Sequence, residues 1–194
     1  MENNRSLKRG EKNSLGGNGF AEKSVSVKIA LIALSVAVIA VCSYISVPTL
    51  IPFTLQTFAV ALVATVLGWK LGFVAVFCYL LLGLCGAPVF SGFKSGLSAF
   101  ASPTGGYLVG FLLIPPCALL FKFFPKKIGM IFSLYIGVVL CYALGTVWFV
   151  LTYEKGISVW GALMACVIPY IIPDIIKTVF AVLVGERVRI ALKM

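Results

Sequence analysis

Long apolar stretches recur along the chain after residue 24, and short turns containing glycine, proline or charged residues separate them. A helix that crosses a bilayer needs about 20 predominantly apolar residues. The pattern therefore predicts an all-α integral membrane protein with six transmembrane helices, which form a single domain over residues 25–194. The predicted spans cover roughly residues 27–45, 53–67, 71–84, 102–121, 128–151 and 169–184.

Two segments depart from this alternation of spans and turns. Residues 1–24 are rich in Asn, Gly, Ser, Lys and Glu and have no apolar period, which is typical of a disordered arm. The last apolar stretch, about 157–184, is longer than one span needs, and Pro169 and Pro173 lie in its middle. It predicts a short interfacial or re-entrant segment, followed by the true span from about Pro169.

Composition supports the membrane assignment and charge predicts its orientation. The chain is 61% hydrophobic and 11% charged, whereas a soluble domain is about a quarter charged. A net charge of +10 could indicate a nucleic-acid partner, but the basic residues lie scattered in short loops, which favours membrane orientation instead. If the N-terminus is inside, Lys94 and Lys155 are the only basic residues that fall in the predicted outer loops. Both termini are therefore predicted to be cytoplasmic.

The chain lacks the residues that most enzymes use. It has no histidine and no G-x-x-x-x-G-K-[ST] phosphate loop, and its six cysteines are widely spaced with no C-x-x-C pair. The cysteines are interpreted as small buried hydrophobes rather than as disulfides or metal ligands. No metal and no cofactor are predicted, an enzyme is the weaker class, and a binding and translocation role fits better.

Asp174 is the one acid within a predicted span, and Lys177 follows it at helical i, i+3 spacing. An intramembrane carboxylate costs on the order of 3 kcal/mol to insert, so such residues usually line a pathway or a site. Pro173 suits the first position of a helix, which would place Asp174 in the first turn near the positive dipole end. The alternative is an internal ion pair that only makes the helix insertable.

Other features place a candidate site near the outer face. The connection 86–102, which carries Lys94, is long and mixes glycine with phenylalanine, as lids and binding loops do. Gln56 is the one side-chain amide in a predicted span and could serve a ligand or bond a neighbouring helix. Ala33 and Ala37 form a small-xxx-small face, which either packs within the chain or receives an external partner.

Five blocks in order resemble one family, and together they are far more specific than any one alone. The blocks are PFTLQT at 52–57, YLLLGLCGAPVF at 79–90, PTGGYLVGF at 103–111, GTVWF at 145–149 and PDIIK at 173–177. From about residue 28 onward the chain resembles the BioY family, the biotin-specific substrate-binding (S) components of energy-coupling factor (ECF) transporters.

The resemblance implies a multi-pass protein of the bacterial cytoplasmic membrane that captures biotin from outside. It implies docking on a transmembrane coupling subunit and two ATP-binding-cassette ATPases, with Ala33 and Ala37 as the docking face. The resemblance also implies how biotin would be bound. Asp174 would accept a hydrogen bond from a ureido N–H, and Lys177 would either hold the Asp174 carboxylate or donate to the ureido carbonyl. Lys94 would pair with the valerate carboxylate. The remaining substrate-binding candidates are Gln56, Thr104, Phe53, Tyr79, Phe90, Tyr107, Trp148 and Tyr170.

Alternatives remain open at this point. Each aromatic candidate could belong only to the core or to the interfacial belt of the membrane. Within the same class, the chain could be an S component for another small vitamin or carboxylate. From a different class, it could be a membrane enzyme or a purely structural subunit.

Overall fold

The chain is helical along most of its described length. The computed structural model describes residues 24–47, 53–123, 127–153 and 158–192, so the predicted N-terminal arm lies outside the described residues. The α-helices are α1 (Val25–Tyr44), α2 (Gln56–Leu84), α3 (Gly96–Ala101), α4 (Gly105–Gly110), α5 (Ile114–Cys117), α6 (Lys127–Thr152), α7 (Val159–Cys166) and α8 (Ile168–Ala191). Short 3-10 turns occupy Ser91–Phe93, Phe111–Leu113 and Ala118–Phe123.

Four of these helices, α1, α2, α6 and α8, are long and apolar enough to cross a membrane. A shorter apolar helical segment covers Gly105–Leu120. Two short strands, β1 (Ser46–Val47) and β2 (Phe53–Thr54), pair antiparallel and bring the end of α1 next to the start of α2. The helical architecture and the apolar spans make this a membrane protein, as the hydropathy pattern predicts.

Helix α2 reverses direction at Gly68 and is therefore a hairpin of two helices. Gly68 has φ 75° and ψ 178°, a conformation outside the helical region that glycine adopts most readily. Gln56 and Tyr79 are 23 residues apart, which a straight helix would separate by about 35 Å. Instead Gln56 Nε2 donates to Tyr79 Oη at 2.7 Å. The two predicted spans on either side of Gly68 thus lie side by side.

Glycines allow the helical segment after residue 104 to pack closely against α6. A Cβ at Gly106 would lie 2.2 Å from Trp148 Cβ, and one at Gly110 would lie 2.7 Å from Cys141 Sγ. From the other side, a Cβ at Gly137 would lie 2.7 Å from the Cα of Ile114. Distances this short exclude any side chain, so α4 and α5 are pressed backbone-to-backbone on α6. This contact fixes one wall of the candidate site.

The last span begins close to its predicted start at Pro169. A short helix, α7, precedes it as expected, and α8 begins at Ile168, with Pro169 in its first turn and Pro173 inside the helix. No acid lies in the first turn of α8, so the prediction that the helix N-terminus stabilises Asp174 is wrong. A proline six residues into a helix removes only one backbone hydrogen bond. Asp174 must be stabilised by side chains instead.

Helix α8 runs parallel to the first half of α2. At one end Thr57 Oγ1 donates to Asp174 Oδ1 at 3.1 Å, and at the other a Cβ on Gly185 would lie 2.8 Å from Thr65 Cγ2. The core between α2, α4, α6 and α8 consists mainly of small and aliphatic buried side chains. Among its fully buried members are Ala59, Val60, Val76, Leu134, Val138, Ala181 and Val182.

Candidate ligand-binding site

A cavity opens where the starts of α2 and α8 meet α4, α6 and the loop before α3. Its free volume is about 90 Å³. Its exposed lining surface is mainly apolar, but eight of its eighteen lining residues are polar or charged. Nine of the predicted substrate-binding residues line it: Phe53, Gln56, Phe90, Lys94, Thr104, Tyr107, Tyr170, Asp174 and Lys177.

The carboxylate of Asp174 is buried and accepts hydrogen bonds from three different side chains. Lys177 Nζ donates to Oδ1 at 2.8 Å and Thr57 Oγ1 donates to the same oxygen at 3.1 Å. Tyr142 Oη donates to Oδ2. Only 3% of Asp174 is exposed. A buried charge needs a paired cation and further hydrogen bonds, and the residue has both.

Lys177 is held as firmly as the acid that it pairs with. Besides Asp174, its Nζ donates to the backbone oxygen of Thr54 at 2.7 Å and to Thr57 Oγ1 at 3.4 Å. The ammonium also lies 3.7 Å from the ring centroid of Phe53, a cation–π contact. The Asp174–Lys177 pair is therefore a neutral, preorganised polar patch on an otherwise mostly apolar wall.

A second hydrogen-bonded chain links the cavity to α1. Thr54 Oγ1 donates to Gln56 Oε1 at 3.1 Å, and Gln56 Nε2 donates to Tyr79 Oη at 2.7 Å. Tyr79 Oη in turn donates to the backbone oxygen of Val89 at 3.0 Å, and Ser43 Oγ of α1 donates to the same oxygen at 2.6 Å. Gln56 bonds a neighbouring helical segment and also lines the cavity, so its role toward a ligand stays a prediction.

Aromatic rings flank the polar patch and close the opposite wall. Phe53 and Tyr170 stack with their ring centroids 5.7 Å apart beside Lys177. Phe90 makes edge-to-face contacts with Tyr79 and Phe100, each at 5.5 Å. Edge-to-face pairs favour one ring orientation over others. These contacts hold the cavity wall in a defined shape.

The loop that carries Lys94 is folded rather than extended. Phe90 N donates to the Lys94 backbone oxygen at 3.2 Å across the 3-10 turn Ser91–Phe93. Phe93, at φ 59°, is a non-glycine residue in the left-handed region. Its ring stacks on Tyr44 of α1 at 4.6 Å. Lys94 is exposed and lines the cavity, so it stands at the mouth.

Two predicted site residues do not line the cavity. Tyr79 is fully buried behind the wall, where it supports Gln56 and Phe90. Trp148 is 40% exposed, and its Nε1 donates to the Ser102 backbone oxygen at 3.1 Å. Its Cβ packs against Gly106, and its indole N–H bonds to a residue outside the cavity lining. Trp148 therefore joins α6 to the turn before α4.

Sequence reasoning missed several lining residues, of which Thr57 and Tyr142 matter most because they bond Asp174. Thr57 directly follows Gln56 in the first turn of α2, and Tyr142 is one of several hydroxyl side chains in the α6 span. A rule that pairs every polar side chain in a span with the intramembrane acid would have found both. The others missed are Thr54, Ser91, Ala99, Leu108, Phe111, Cys141 and Cys166.

The described part of the chain holds no group of three or more His, Cys, Asp or Glu residues that could bind a metal ion. The predicted docking residues, Ala33 and Ala37, are exposed on α1. Only 6% of the apolar window of α1 is buried, against 56% for α2 and 44% for α6. Helix α1 thus packs on the rest of the protein along one narrow side.

Comparisons with known proteins agree on a family. The model of the BioY family matches residues 14–194. The chain is 41% identical over 157 residues to the biotin transporter BioY of Thermotoga maritima, covering 79% of this chain and 90% of the relative. It is 37% identical over 163 residues to the probable biotin transporter BioY of Pyrococcus horikoshii, covering 84% and 96%.

A solved structure has the same fold. The crystal structure of the S-component for biotin from an ECF-type ABC transporter superposes with a TM-score of 0.73 at 24% sequence identity. The match covers 86% of this chain and 94% of that one. Together with the family match over nearly all of the spans, these findings assign the chain: it belongs to the BioY family.

Proposed function

We propose that this protein is the biotin-binding S component of an ECF transporter and takes up biotin across the cytoplasmic membrane of a bacterium. Relatives that the chain covers almost completely are named biotin transporters, and none of the features described above belongs to an enzyme. The observation that carries the proposal is the buried Asp174–Lys177 pair on the wall of a mostly apolar cavity.

Asp174 is the anchor for the ureido ring of biotin. An ionised carboxylate offers about four acceptor positions. The hydrogen bonds described above use two on Oδ1 and one on Oδ2, so Oδ2 retains a position for a ureido N–H. Lys177 holds the acid in place, because its three N–H groups donate to Asp174, Thr54 and Thr57.

The rest of the biotin molecule fits the remaining residues that line the cavity. The aromatic walls of Phe53, Phe90, Tyr107 and Tyr170 pack the thioether ring and the aliphatic chain, whose contribution is burial of apolar surface. Gln56 and Thr104 add neutral hydrogen-bonding groups. The valerate carboxylate points to the mouth, where Lys94 supplies a cation in contact with water.

The chain crosses the membrane six times with both termini in the cytoplasm. The crossings are α1, the two halves of α2 on either side of Gly68, the segment 105–123, α6 and α8. The reversal at Gly68 supports this count, and the positive-inside bias supports the orientation. The cavity then faces the outside.

The exposed side of α1 docks on the transmembrane coupling subunit, and two ATPases supply the energy. Ala33 and Ala37 lie one turn apart on this side and let a partner helix approach closely. The absence of a phosphate loop from this sequence fits that division of labour.

The test is calorimetric titration of biotin into the purified protein, the Asp174→Asn variant and the Glu186→Gln variant. Glu186 is the matched control because it is an acid of the same helix with its own lysine partner. Loss of a charge-assisted hydrogen bond of about 1.5–3 kcal/mol predicts binding about 10- to 150-fold weaker in Asp174→Asn. Glu186→Gln should bind as the wild type does.

A Lys94→Met variant sharpens the placement of the valerate group. Its exposed cation should contribute less than Asp174, and its effect should shrink as salt is added. If well-folded wild type binds no biotin, the substrate is wrong, and other vitamins should be titrated next. If Asp174→Asn binds normally, the ureido anchor lies elsewhere and the pair with Lys177 is structural.

A further inference from the structure

A second cavity lies on the other side of Tyr142 from the ligand site. It is bounded by α6, α7 and the start of α8 and has a volume of about 410 Å³. A water molecule occupies about 30 Å³ in the liquid, so the space could take a much larger guest. Its walls include the rings of Tyr135 and Tyr142 and the side chains of Val139, Ala143, Leu163 and Val167.

Three residues on this wall carry a hydroxyl group, Tyr135, Tyr142 and Thr146, and two of these groups bond to atoms elsewhere in the protein. The hydroxyl of Tyr142 donates to Asp174, and Thr146 Oγ1 shares a hydrogen bond of 3.3 Å with Tyr107 Oη. The cavity therefore presents mainly hydrocarbon and aromatic surface. A bound water needs two to four polar partners, so a polar guest would find little to bond there.

The cavity is continuous with the side of the protein that contacts lipid. Val139 and Val147 on α6 are 48% and 62% exposed, and Val159 at the start of α7 is 61% exposed, while all three line the cavity. Helix α6 is one of the four helices long and apolar enough to cross the membrane. Bilayer acyl chains therefore lie against this opening.

We propose that the cavity between α6, α7 and α8 binds one acyl chain of a membrane lipid. An acyl chain in the cavity would give the lining atoms the dispersion contacts that they lack when the cavity is empty. The occupant is hydrocarbon, so the site selects for a chain rather than for a particular headgroup. The existence of this site does not depend on the identity of the transported ligand.

The lipid chain would also support the ligand site, and this consequence rests on the proposed function. Tyr142 lines both cavities, and its hydroxyl donates to Asp174. A chain packed against the ring keeps the hydroxyl directed at the carboxylate. Biotin affinity should therefore be higher in a bilayer than after thorough delipidation in a short-chain detergent.

The direct test is photo-crosslinking in phosphatidylcholine vesicles that contain a lipid with a diazirine midway along one acyl chain. Adducts are mapped by mass spectrometry without biotin, so the result is independent of the proposed function. We expect adducts at Leu163, Val167 and Ile171, with a severalfold loss in Ala143→Phe, which fills the cavity. The control is Leu144→Phe, one residue along α6 and outside the cavity lining, which should keep the wild-type yield.

Equal adduct yields in Ala143→Phe and Leu144→Phe would overturn the site. So would wild-type labelling at the three cavity residues no stronger than at Phe180, which is 57% exposed elsewhere on α8. If Ala143→Phe fails to fold, Val139→Phe fills the same space and decides the question. Cavity-specific adducts without any lipid effect on biotin affinity would keep the site and reject its link to Tyr142.

Discussion

Helix α8 carries two ion pairs of nearly equal length in different surroundings. Lys177 and Asp174 are 2.8 Å apart, and their side chains are 10% and 5% exposed. Lys127 of α6 and Glu186 are 2.7 Å apart, but the lysine side chain is 67% exposed and the glutamate 11%. Distance alone would rank the two pairs as equals.

The surroundings of the two ion pairs give them different contributions to stability. Lys127 is largely exposed and can exchange Glu186 for water, so this pair should contribute little to stability. The buried pair has Thr57, Tyr142 and the Thr54 carbonyl as further partners, and breaking it would leave a charge without water. The ion-pair distance therefore does not distinguish the functional end of α8. That end is marked by the number of hydrogen-bond partners and by the exclusion of solvent.

The largest effect is expected for Lys177→Met. It leaves the Asp174 carboxylate buried without its cation, which typically costs about 3–5 kcal/mol. The melting temperature in detergent should fall sharply, and biotin binding should be lost. Thermal unfolding followed by tryptophan fluorescence measures the first effect and calorimetry the second.

The double variant Asp174→Asn/Lys177→Met separates stability from binding. Removing both charges avoids an unpaired buried ion, so most of the lost stability should return while binding stays absent. If Lys177→Met is as stable as the wild type, the buried pair is not the constraint that its geometry indicates.

A smaller effect is expected for Tyr142→Phe. It removes one hydrogen bond to a charged group and leaves the ring in place, so biotin affinity should fall about tenfold. Tyr135→Phe, two turns earlier on α6, is the matched control and should bind normally. Wild-type affinity in Tyr142→Phe would mean that Thr57 and Lys177 suffice to orient the acid.

The smallest effect is expected for Lys127→Met at the exposed pair. The free energy of unfolding should change by about 1 kcal/mol or less, and that change should diminish in high salt. Biotin binding should be unchanged. A loss comparable to that of Lys177→Met would show that the two pairs are energetically alike and would remove the basis of the comparison.

Much of this arrangement could be predicted from sequence because its causes are local. Span lengths follow from apolar run length, and the pairing of Asp174 with Lys177 follows from i, i+3 spacing on one helix. Gly68 within an apolar run marks the reversal. A site near the outer face, made from the first loop, the Lys94 loop and the segment from Tyr170 to Lys177, was predicted from the residues themselves, and the family resemblance supplied biotin as its ligand.

The rest depended on tertiary contacts that no local pattern encodes. Tyr142 and Asp174 are 32 residues apart and meet only because α6 and α8 cross at that level. Pro173 was assigned to a helix start because proline favours that position, but packing extends α8 back to Ile168. Trp148 matched a family block, yet it lies outside the cavity lining and its indole N–H bonds to Ser102.

The reversal at Gly68 has a consequence for how the protein enters the membrane. The two halves of α2 are joined by so short a turn that neither can be threaded into the bilayer without the other. Gln56 bonds Tyr79 across this hairpin, so its amide can cross the hydrocarbon already satisfied. We therefore expect residues 56–84 to be inserted as one unit during synthesis, with one edge of the later binding cavity assembled before α6 and α8 have been made.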